Sequence, residues 1–154
     1  MTDQNQTPEV DENQLIAERR AKLAARRALE FAVERVRAQG GTIVLAHVLE
    51  WSPYSFLTPT ELEERHKRRR EELERARDAI TSTVVAELEK EGIGVETEIR
   101  YGKAHDVLGQ VARDHDAVQI IIGREGQSSL GARIFGSVAA ALIQSAPVPC
   151  TIVP

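Results

Sequence analysis

Three glycines and a serine form the pattern with the clearest chemical meaning in this chain: Gly123-Arg124-Glu125-Gly126, nine further residues, then Gly136-Ser137. Glycines let a backbone approach phosphate oxygens closely, and the N–H groups at the start of a helix can point at those oxygens. The serine hydroxyl adds a donor, and Arg124 adds a cation that suits phosphate. The pattern therefore predicts a nucleotide-phosphate site.

The segments on either side of this pattern are typical of a strand–loop–helix unit. Ala117 to Ile122 is apolar and predicts a buried strand, and the segment from Ser137 to Ser145 predicts a helix whose first residues include Val138. Apolar periodicity and glycine or proline boundaries predict the remaining elements. The predicted helices are 11–39, 58–91, 105–114 and 137–145, and the predicted strands are 42–49, 94–101, 117–122 and 148–153.

Strands that alternate with helices, without hairpin signals, predict an α/β fold with a parallel sheet and flanking helices. The strand 42–49 is almost continuously apolar, which favours a strand covered on both faces. Thr58 is a predicted N-cap, with Pro59 in the first helical position. Ligands of such sheets bind at the carboxyl ends of the strands, where the glycine loop begins.

Composition limits the class of protein. With 154 residues, 42% hydrophobic and 29% charged, the chain is expected to form one soluble domain over 11–154, after a polar and disordered segment 1–10. No apolar run approaches the roughly 18–20 residues of a membrane span. The formal net charge of -4 argues against nucleic-acid binding. The single cysteine, Cys150, forms no internal disulfide and favours a cytoplasmic location.

The glycine pattern after an isoleucine-rich strand, together with Ala146-Pro147-Val148-Pro149 near the end, resembles the universal stress protein family over about residues 21–154. The resemblance implies the adenine-nucleotide α-hydrolase-like fold and ATP as a ligand. It implies that ribose and phosphates contact the motif and that Val48, near the end of its strand, lies beside the adenine. The complete predicted binding set is Val48, Gly123, Arg124, Gly126, Gly136, Ser137 and Val138.

The N-terminal region departs from that family. Its members open with a central apolar strand that ends in an aspartate, whereas the corresponding positions here are Leu15-Ile16-Ala17-Glu18-Arg19, with Arg20 near the aspartate position. Glutamate, arginine and alanine favour a helix, so the first central strand is expected to be missing or replaced. Unless the gap is closed, the nucleotide site is expected to be strained or incomplete.

Three arrangements are open at this gap. The strands at Thr42 and Val118 could pair directly, which gives a four-stranded sheet and a lengthened first helix. A second molecule could supply a strand or cover the gap. Alternatively, the chain could carry an exposed hydrophobic slot.

Two functions from different classes follow. The first is a protein that binds ATP or another adenine nucleotide as a regulatory ligand; no catalytic residues and no metal site are predicted, because no general base, nucleophile or carboxylate pair accompanies the loop. The alternative is a dimer without nucleotide that acts through protein–protein contacts and keeps its glycines for the strand–turn–helix join. The resemblance implies a homodimer through the strand from Val148 to Val153.

The remaining polar features predict structural roles. The basic stretch 65–70 is flanked by glutamates at i,i+4 spacing, which favours a solvated helix face over a phosphate-binding patch. His47 and His105 have no convergent partners and are expected to be core or capping residues. Cys150 is expected to be a small buried hydrophobe.

Overall fold

The computed structural model describes residues 12–50, 58–124 and 136–154. Over these ranges helices and strands alternate in the predicted order. The predicted disordered segment 1–10 and the glycine Gly126 lie outside the described residues. The elements are α1 (Glu12–Gln39), β1 (Ile43–Leu49), α2 (Pro59–Ile80), a π-helical turn (Thr81–Val85), α3 (Ala86–Lys90), β2 (Val95–Tyr101), α4 (Ala104–Asp114), β3 (Ile120–Gly123), α5 (Ser137–Ser145) and β4 (Cys150–Val153).

Local sequence signals set several of the helix ends. The Thr58 hydroxyl accepts a hydrogen bond from the Glu61 N–H at 3.3 Å, and the Glu61 carboxylate accepts one from the Thr58 N–H at 2.7 Å. This reciprocal capping box confirms Thr58 as the N-cap of α2. Gly40 and Gly92 follow α1 and α3 with φ of 76° each, a left-handed conformation that favours glycine.

The helix predicted over 58–91 is divided by the π-helical turn at Thr81–Val85. The Ser82 and Thr83 hydroxyls both donate to the carbonyl of Ala79, at 3.2 and 2.7 Å. Side-chain donors of this kind compete with backbone N–H groups for a helix carbonyl. They accompany the local widening of the helix, which the apolar periodicity alone does not predict.

The strands form two parallel pairs. β1 pairs with β2 from Ile43 opposite Val95 to Leu49 opposite Tyr101. β3 pairs with β4 from Ile120 opposite Cys150 to Gly123 opposite Val153. These pairings confirm an α/β fold with parallel strands and flanking helices.

Within the described residues β1 and β3 lie in different sheets, so the first of the three open arrangements, direct pairing in a four-stranded sheet, is not the one formed. The first helix is lengthened, as that arrangement required, because the residues at the position of the central strand continue α1. Helix α1 packs on β1 of one strand pair and on β3 of the other. Helix α4 packs on β1 and on α5. The two strand pairs are therefore joined by helices instead of by a strand between them.

Strands β1 and β3 differ from their predicted forms in burial and extent. Ile43 is the buried residue of β1, and His47 is exposed, so the strand is not covered on both faces and His47 is not a core residue. The missing central neighbour leaves β1 at a sheet edge in the described structure. β3 begins only at Ile120, where its pairing with β4 begins, and Val118 before it is 85% exposed.

The core is also in two parts. One cluster joins α1, β1, α3 and the start of β2 through Val33, Ile43, Leu88 and Ile93. The other joins α4, β3 and α5 through Ala112, Ile120 and Leu142. Cys150 packs at the edge of the second cluster, and burial raises the pKa of its thiol, which favours the protonated and apolar form.

Candidate functional site

The carboxyl end of β3 and the start of α5 are held together by backbone hydrogen bonds. The Arg124 N–H donates to the Val153 carbonyl at 2.8 Å, and the Gly136 N–H donates to the Arg124 carbonyl at 3.2 Å. Gly136 precedes α5 in an extended conformation, with φ −62° and ψ 157°. The first turn of a helix leaves N–H groups that its own carbonyls cannot satisfy. The two described ends of the glycine motif are therefore adjacent, with a helix N-terminus beside them.

Gly123 lies in close contact with α1. A Cβ on Gly123 would lie 2.9 Å from the carbonyl carbon, the carbonyl oxygen and the Cβ of Ala24. Real Cβ atoms do not approach backbone atoms so closely, so this position requires glycine for packing. α1 consequently passes the carboxyl end of β3 at Ala24.

A cavity of about 200 Å³, open to solvent, lies where α1 crosses the ends of β3 and β4, and each of its lining residues except Ala24 is exposed. Three of its lining side chains are arginines, two from α1 and one from the end of β3. The apolar part of the wall comes from α1 and from Pro154, which follows β4. The lining residues are Arg20, Leu23, Ala24, Arg27, Arg124 and Pro154.

The predicted binding residues are only partly brought together. Gly123, Arg124 and Gly136 are joined by the contacts described above, and Ser137 and Val138 follow directly in α5. Val48 lies in the other strand pair, half-buried and in register with Arg100 of β2. Gly126 lies outside the described residues. The proposed adenine and phosphate contacts thus belong to different strand pairs.

Metal ligands do not converge in the part of the chain that the structure describes: no group of three histidine, cysteine, aspartate or glutamate side chains there could hold an ion. No described helix is both long and apolar enough to cross a membrane.

The basic stretch of α2 lies on a helix without buried residues. Arg68 pairs with Glu64 at 3.6 Å, one of the predicted i,i+4 pairs. The Arg69 guanidinium lies 5.5 Å from the centre of the Tyr101 ring, and the Tyr101 hydroxyl donates to Glu72 at 2.6 Å. The Arg68–Glu64 pair fits the predicted solvated helix face, whereas the contacts with Tyr101 of β2 were not predicted by the glutamate spacing.

His115 is the centre of an ionic cluster that the sequence pattern did not reveal. Its Nδ1 lies 2.8 Å from the Glu96 carboxylate, and its Nε2 lies 2.8 Å from the Glu98 carboxylate. Arg100 joins Glu98 to Asp114 at 3.1 and 2.8 Å. The signal was present in the i, i+2 spacing of the charged residues on β2, but their partner lies on α4 and is reached only in the tertiary structure.

The contacts of this cluster change the protonation of its members. Hydrogen bonding to Glu98, assisted by Glu96, raises the pKa of His115 against the effect of burial. Hydrogen bonds from Arg100 and then His115 lower the pKa of Glu98. Carboxylates at both ring nitrogens favour the doubly protonated, cationic form of His115, and so does its position at the C-terminus of α4.

We expect His115 to make stability depend on pH. Because the pKa of His115 is raised on folding, its contribution to the unfolding free energy is complete below the ordinary histidine pKa of about 6.5. That contribution is lost as the pH rises through the folded-state pKa. The ion pairs of Glu98, whose pKa is lowered on folding, stabilise the folded state fully above the ordinary glutamate pKa of about 4.3, and this contribution is lost as the pH falls. The loss of unfolding free energy in His115→Gln, measured with urea, should therefore be larger near pH 6 than near pH 9.

The exposed histidine His66 on α2 provides the control. His66→Gln should change the unfolding free energy little at either pH. A loss in His115→Gln that is equal at both pH values would contradict the ionic role of His115.

The profile of the universal stress protein family matches residues 21–154. The chain belongs to the universal stress protein family. No curated protein sequence matches it significantly. Solved structures with the same fold include the universal stress protein UspA from Lactobacillus plantarum, at 22% identity and a TM-score of 0.71, over 85% of this chain and 90% of that one.

Two further universal stress proteins share the fold. The protein from Archaeoglobus fulgidus is 28% identical with a TM-score of 0.57, over 85% of this chain and 90% of that one. A universal stress protein in complex with cAMP is 19% identical with a TM-score of 0.50, over 83% of this chain and 87% of that one.

This universal stress protein differs from the expected family pattern where α1 begins. The family match starts at residue 21, so the helical segment before it, including Arg20, lies outside the match. Arg20 lines the cavity at the end of β3, near the position where the resemblance implies an aspartate. The side of the site that faces α1 is consequently cationic.

Proposed function

We propose that this universal stress protein binds an adenine nucleotide, with ATP as the first candidate, at the junction of β3 and α5. The observation that carries the proposal is the hydrogen bond from the Gly136 N–H to the Arg124 carbonyl, which joins Gly123-Arg124 to Gly136-Ser137 at the start of a helix. Backbone N–H groups in that position suit phosphate oxygens. A universal stress protein of the same fold was solved in complex with cAMP, which supports an adenine ligand.

We propose that the nucleotide acts as a regulatory ligand and is not rapidly consumed. The cavity beside the junction is lined, among the described residues, by arginines and apolar groups, and by neither a carboxylate nor a histidine that could act as a general base. The single cysteine, which cannot form an internal disulfide, supports the cytoplasm as the location.

The test is to denature freshly purified protein, analyse the supernatant for adenine nucleotides, and titrate ATP into emptied protein by calorimetry. Gly136→Val is expected to weaken ATP binding at least about tenfold, comparable to the loss of one hydrogen bond to a charged group, because the branched side chain would block the close approach of phosphate oxygens to the helix start. Because Gly136 has an ordinary extended conformation, valine can adopt its backbone angles. The variant therefore tests access of the ligand more than folding.

Ala140→Val is the matched control for this experiment. Ala140 is exposed on the same helix, one turn further on, so the substitution adds the same type of branched side chain away from the helix start. ATP affinity should stay within about twofold of wild type. If neither bound nucleotide nor heat above the buffer blank is found for folded wild-type protein, the proposal is wrong.

A dimer without nucleotide is the second candidate, and a specific contact favours it. The packing of Gly123 on Ala24 explains this glycine without any ligand. We propose that such a dimer forms through β4, whose second edge pairs with no strand among the described residues. Light scattering that gives twice the mass of one chain, in protein that binds no ATP, would support this candidate.

A further inference from the structure

Three large apolar side chains near the start of α1 are exposed. Leu15 and Ile16 have relative exposures of 39% and 48%, and Leu23 has 58%. Ile16 and Leu23 are separated by about two helical turns, so they lie on one side of the helix. Arg19 is one turn from both Leu15 and Leu23 and therefore lies between them. These four side chains, together with the exposed Lys22, form a surface that we call the outer face of α1.

A different side of α1 packs on the protein. Ala24 and Ala28 are buried, and Ala24 contacts Gly123 of β3. Further towards the N-terminus, every side chain that the structure describes between positions 15 and 20 is exposed. This part of the helix precedes the family match, which starts at residue 21. Because a short helix without a packed face is marginal in water, it gains stability when another surface covers its apolar side chains.

The charge of this part of α1 selects the class of partner. Between positions 15 and 27 the sequence has five basic residues and one acidic residue, although the net charge of the chain is -4. Arg26 is paired with Glu30 and Glu87. Arg19 and Lys22, by contrast, are exposed and form no ion pair among the described residues. Two copies of the outer face would bring like charges together, so the complementary partner is anionic and not a second copy of this face.

The mixture of apolar and cationic side chains favours a lipid surface over an acidic protein. In a protein interface the centre loses its water, so Arg19, between Leu15 and Leu23, would have to be buried at a high cost. Three apolar side chains are also few for a stable interface, which covers about 800 Å² of each partner. At a bilayer surface, apolar side chains enter the boundary between headgroups and acyl chains, while arginine and lysine extend their charged groups to the phosphates.

We propose that the outer face of α1 binds the surface of a bilayer that contains anionic phospholipids, with the helix parallel to the membrane plane. Leu15, Ile16 and Leu23 enter the bilayer surface, and Arg19 and Lys22 contact the lipid phosphates. A helix in this position lies on the membrane and does not cross it. The inference does not depend on the proposed function, since it uses none of the residues of the predicted nucleotide-binding set.

The test is cosedimentation of the full chain with vesicles of phosphatidylcholine mixed with phosphatidylglycerol, and with vesicles of phosphatidylcholine alone. At low ionic strength wild type should bind the mixed vesicles at least about tenfold more strongly, and added salt should weaken this binding. Arg19→Gln/Lys22→Gln should reduce binding to mixed vesicles about tenfold, because two contacts with an anionic surface are lost. Ile16→Ser should reduce it about fivefold, because an apolar side chain no longer enters the bilayer.

Matched control variants change the same types of side chain elsewhere. Lys67→Gln/Arg70→Gln removes two exposed charges from the basic stretch of α2, where glutamates lie nearby on the same helix. Ile143→Ser replaces an isoleucine of α5 that is 63% exposed. Both controls should bind mixed vesicles within about twofold of wild type, because the attraction of an anionic surface falls off within a Debye length. Circular dichroism should show an unchanged fold in all of these variants, since each replaces exposed side chains.

Absence of binding to mixed vesicles by folded wild type would overturn the proposal. Equal losses in the α1 and α2 double variants would also overturn it, because the attraction would then follow the total charge of the protein. The same holds if Ile16→Ser binds as wild type does and polyglutamate displaces the vesicles, since the outer face would then suit acidic proteins. ATP affinity should be unchanged in Ile16→Ser, so the membrane proposal and the nucleotide proposal can fail separately.

Discussion

Replacing Leu142 with alanine is expected to destabilise the protein by about 3 kcal/mol, within the usual range of about 2–5 kcal/mol for a buried leucine. Leu142 has a relative exposure of 0% and is the largest fully buried side chain among the described residues. It lies on α5 and packs with Ala112 of α4 and Ile120 of β3. The substitution leaves a cavity where three elements meet, and against a typical total stability of about 5–15 kcal/mol the loss is large.

The measurement is urea unfolding at equilibrium, compared with Ile143→Ala. Ile143 is the next residue of α5 and is 63% exposed, so its truncation should cost less than about 1 kcal/mol. Equal losses in the two variants would show that α5 does not pack as described. A loss below about 1 kcal/mol in Leu142→Ala would lead to the same conclusion.

Gly123→Ala is expected to have the second large effect, because it acts on both stability and ligand binding. The added Cβ would lie 2.9 Å from three atoms of Ala24, two of which belong to the backbone. α1 or the end of β3 must then shift, at a cost of about 1–3 kcal/mol. The shift also displaces Arg124, whose backbone joins β3 to Val153 and Gly136, so ATP affinity should fall about tenfold or more.

Gly109→Ala is an informative control for this substitution. A Cβ at Gly109 would lie 3.6 Å from the Pro147 Cδ, which is an ordinary contact, and the position is inside α4. Alanine is favoured over glycine in a helix by about 1 kcal/mol, so Gly109→Ala should be neutral or stabilising. Opposite signs for the two glycine-to-alanine changes in urea unfolding are therefore expected.

The double variant Ala24→Gly/Gly123→Ala refines this test. It removes the Ala24 Cβ from the collision but leaves the carbonyl carbon and oxygen in place. Recovery of stability, relative to the sum of the single changes, should be partial. Full recovery would mean that only the Ala24 side chain is in the way, and no recovery would mean that the two residues are not in contact.

The glycine motif shows which part of the candidate site could be predicted from the sequence. Its position between a strand and a helix was predicted, and the structure places Gly123 and Gly136 at those ends. The reason for Gly123, by contrast, could not be read from the motif, because the residue it contacts is Ala24, about 100 positions earlier in the chain. Whether the motif binds a nucleotide stays a prediction.

The arginine cavity was not predictable, although each of its parts was visible. The sequence marks Arg20 as a basic residue near an expected aspartate and predicts Arg124 as a binding residue of the loop. It assigns Arg27 no ligand role, since one arginine on a helix surface is ordinary. The three line one cavity only because α1 continues as a helix past the end of β3, which brings residues from distant parts of the chain together.

Sequence alone determined the elements whose signals are local. The helical residues at the start of α1, the capping box at Thr58 and the glycine ends at Gly40 and Gly92 depend on backbone preference and on neighbours within one turn. Tertiary structure decided which strands pair, which charges meet around His115, and how α1 crosses β3. Those outcomes depend on contacts between residues far apart in the chain. The two strand pairs stay separate because the segment at the position of the expected central strand continues as helix α1.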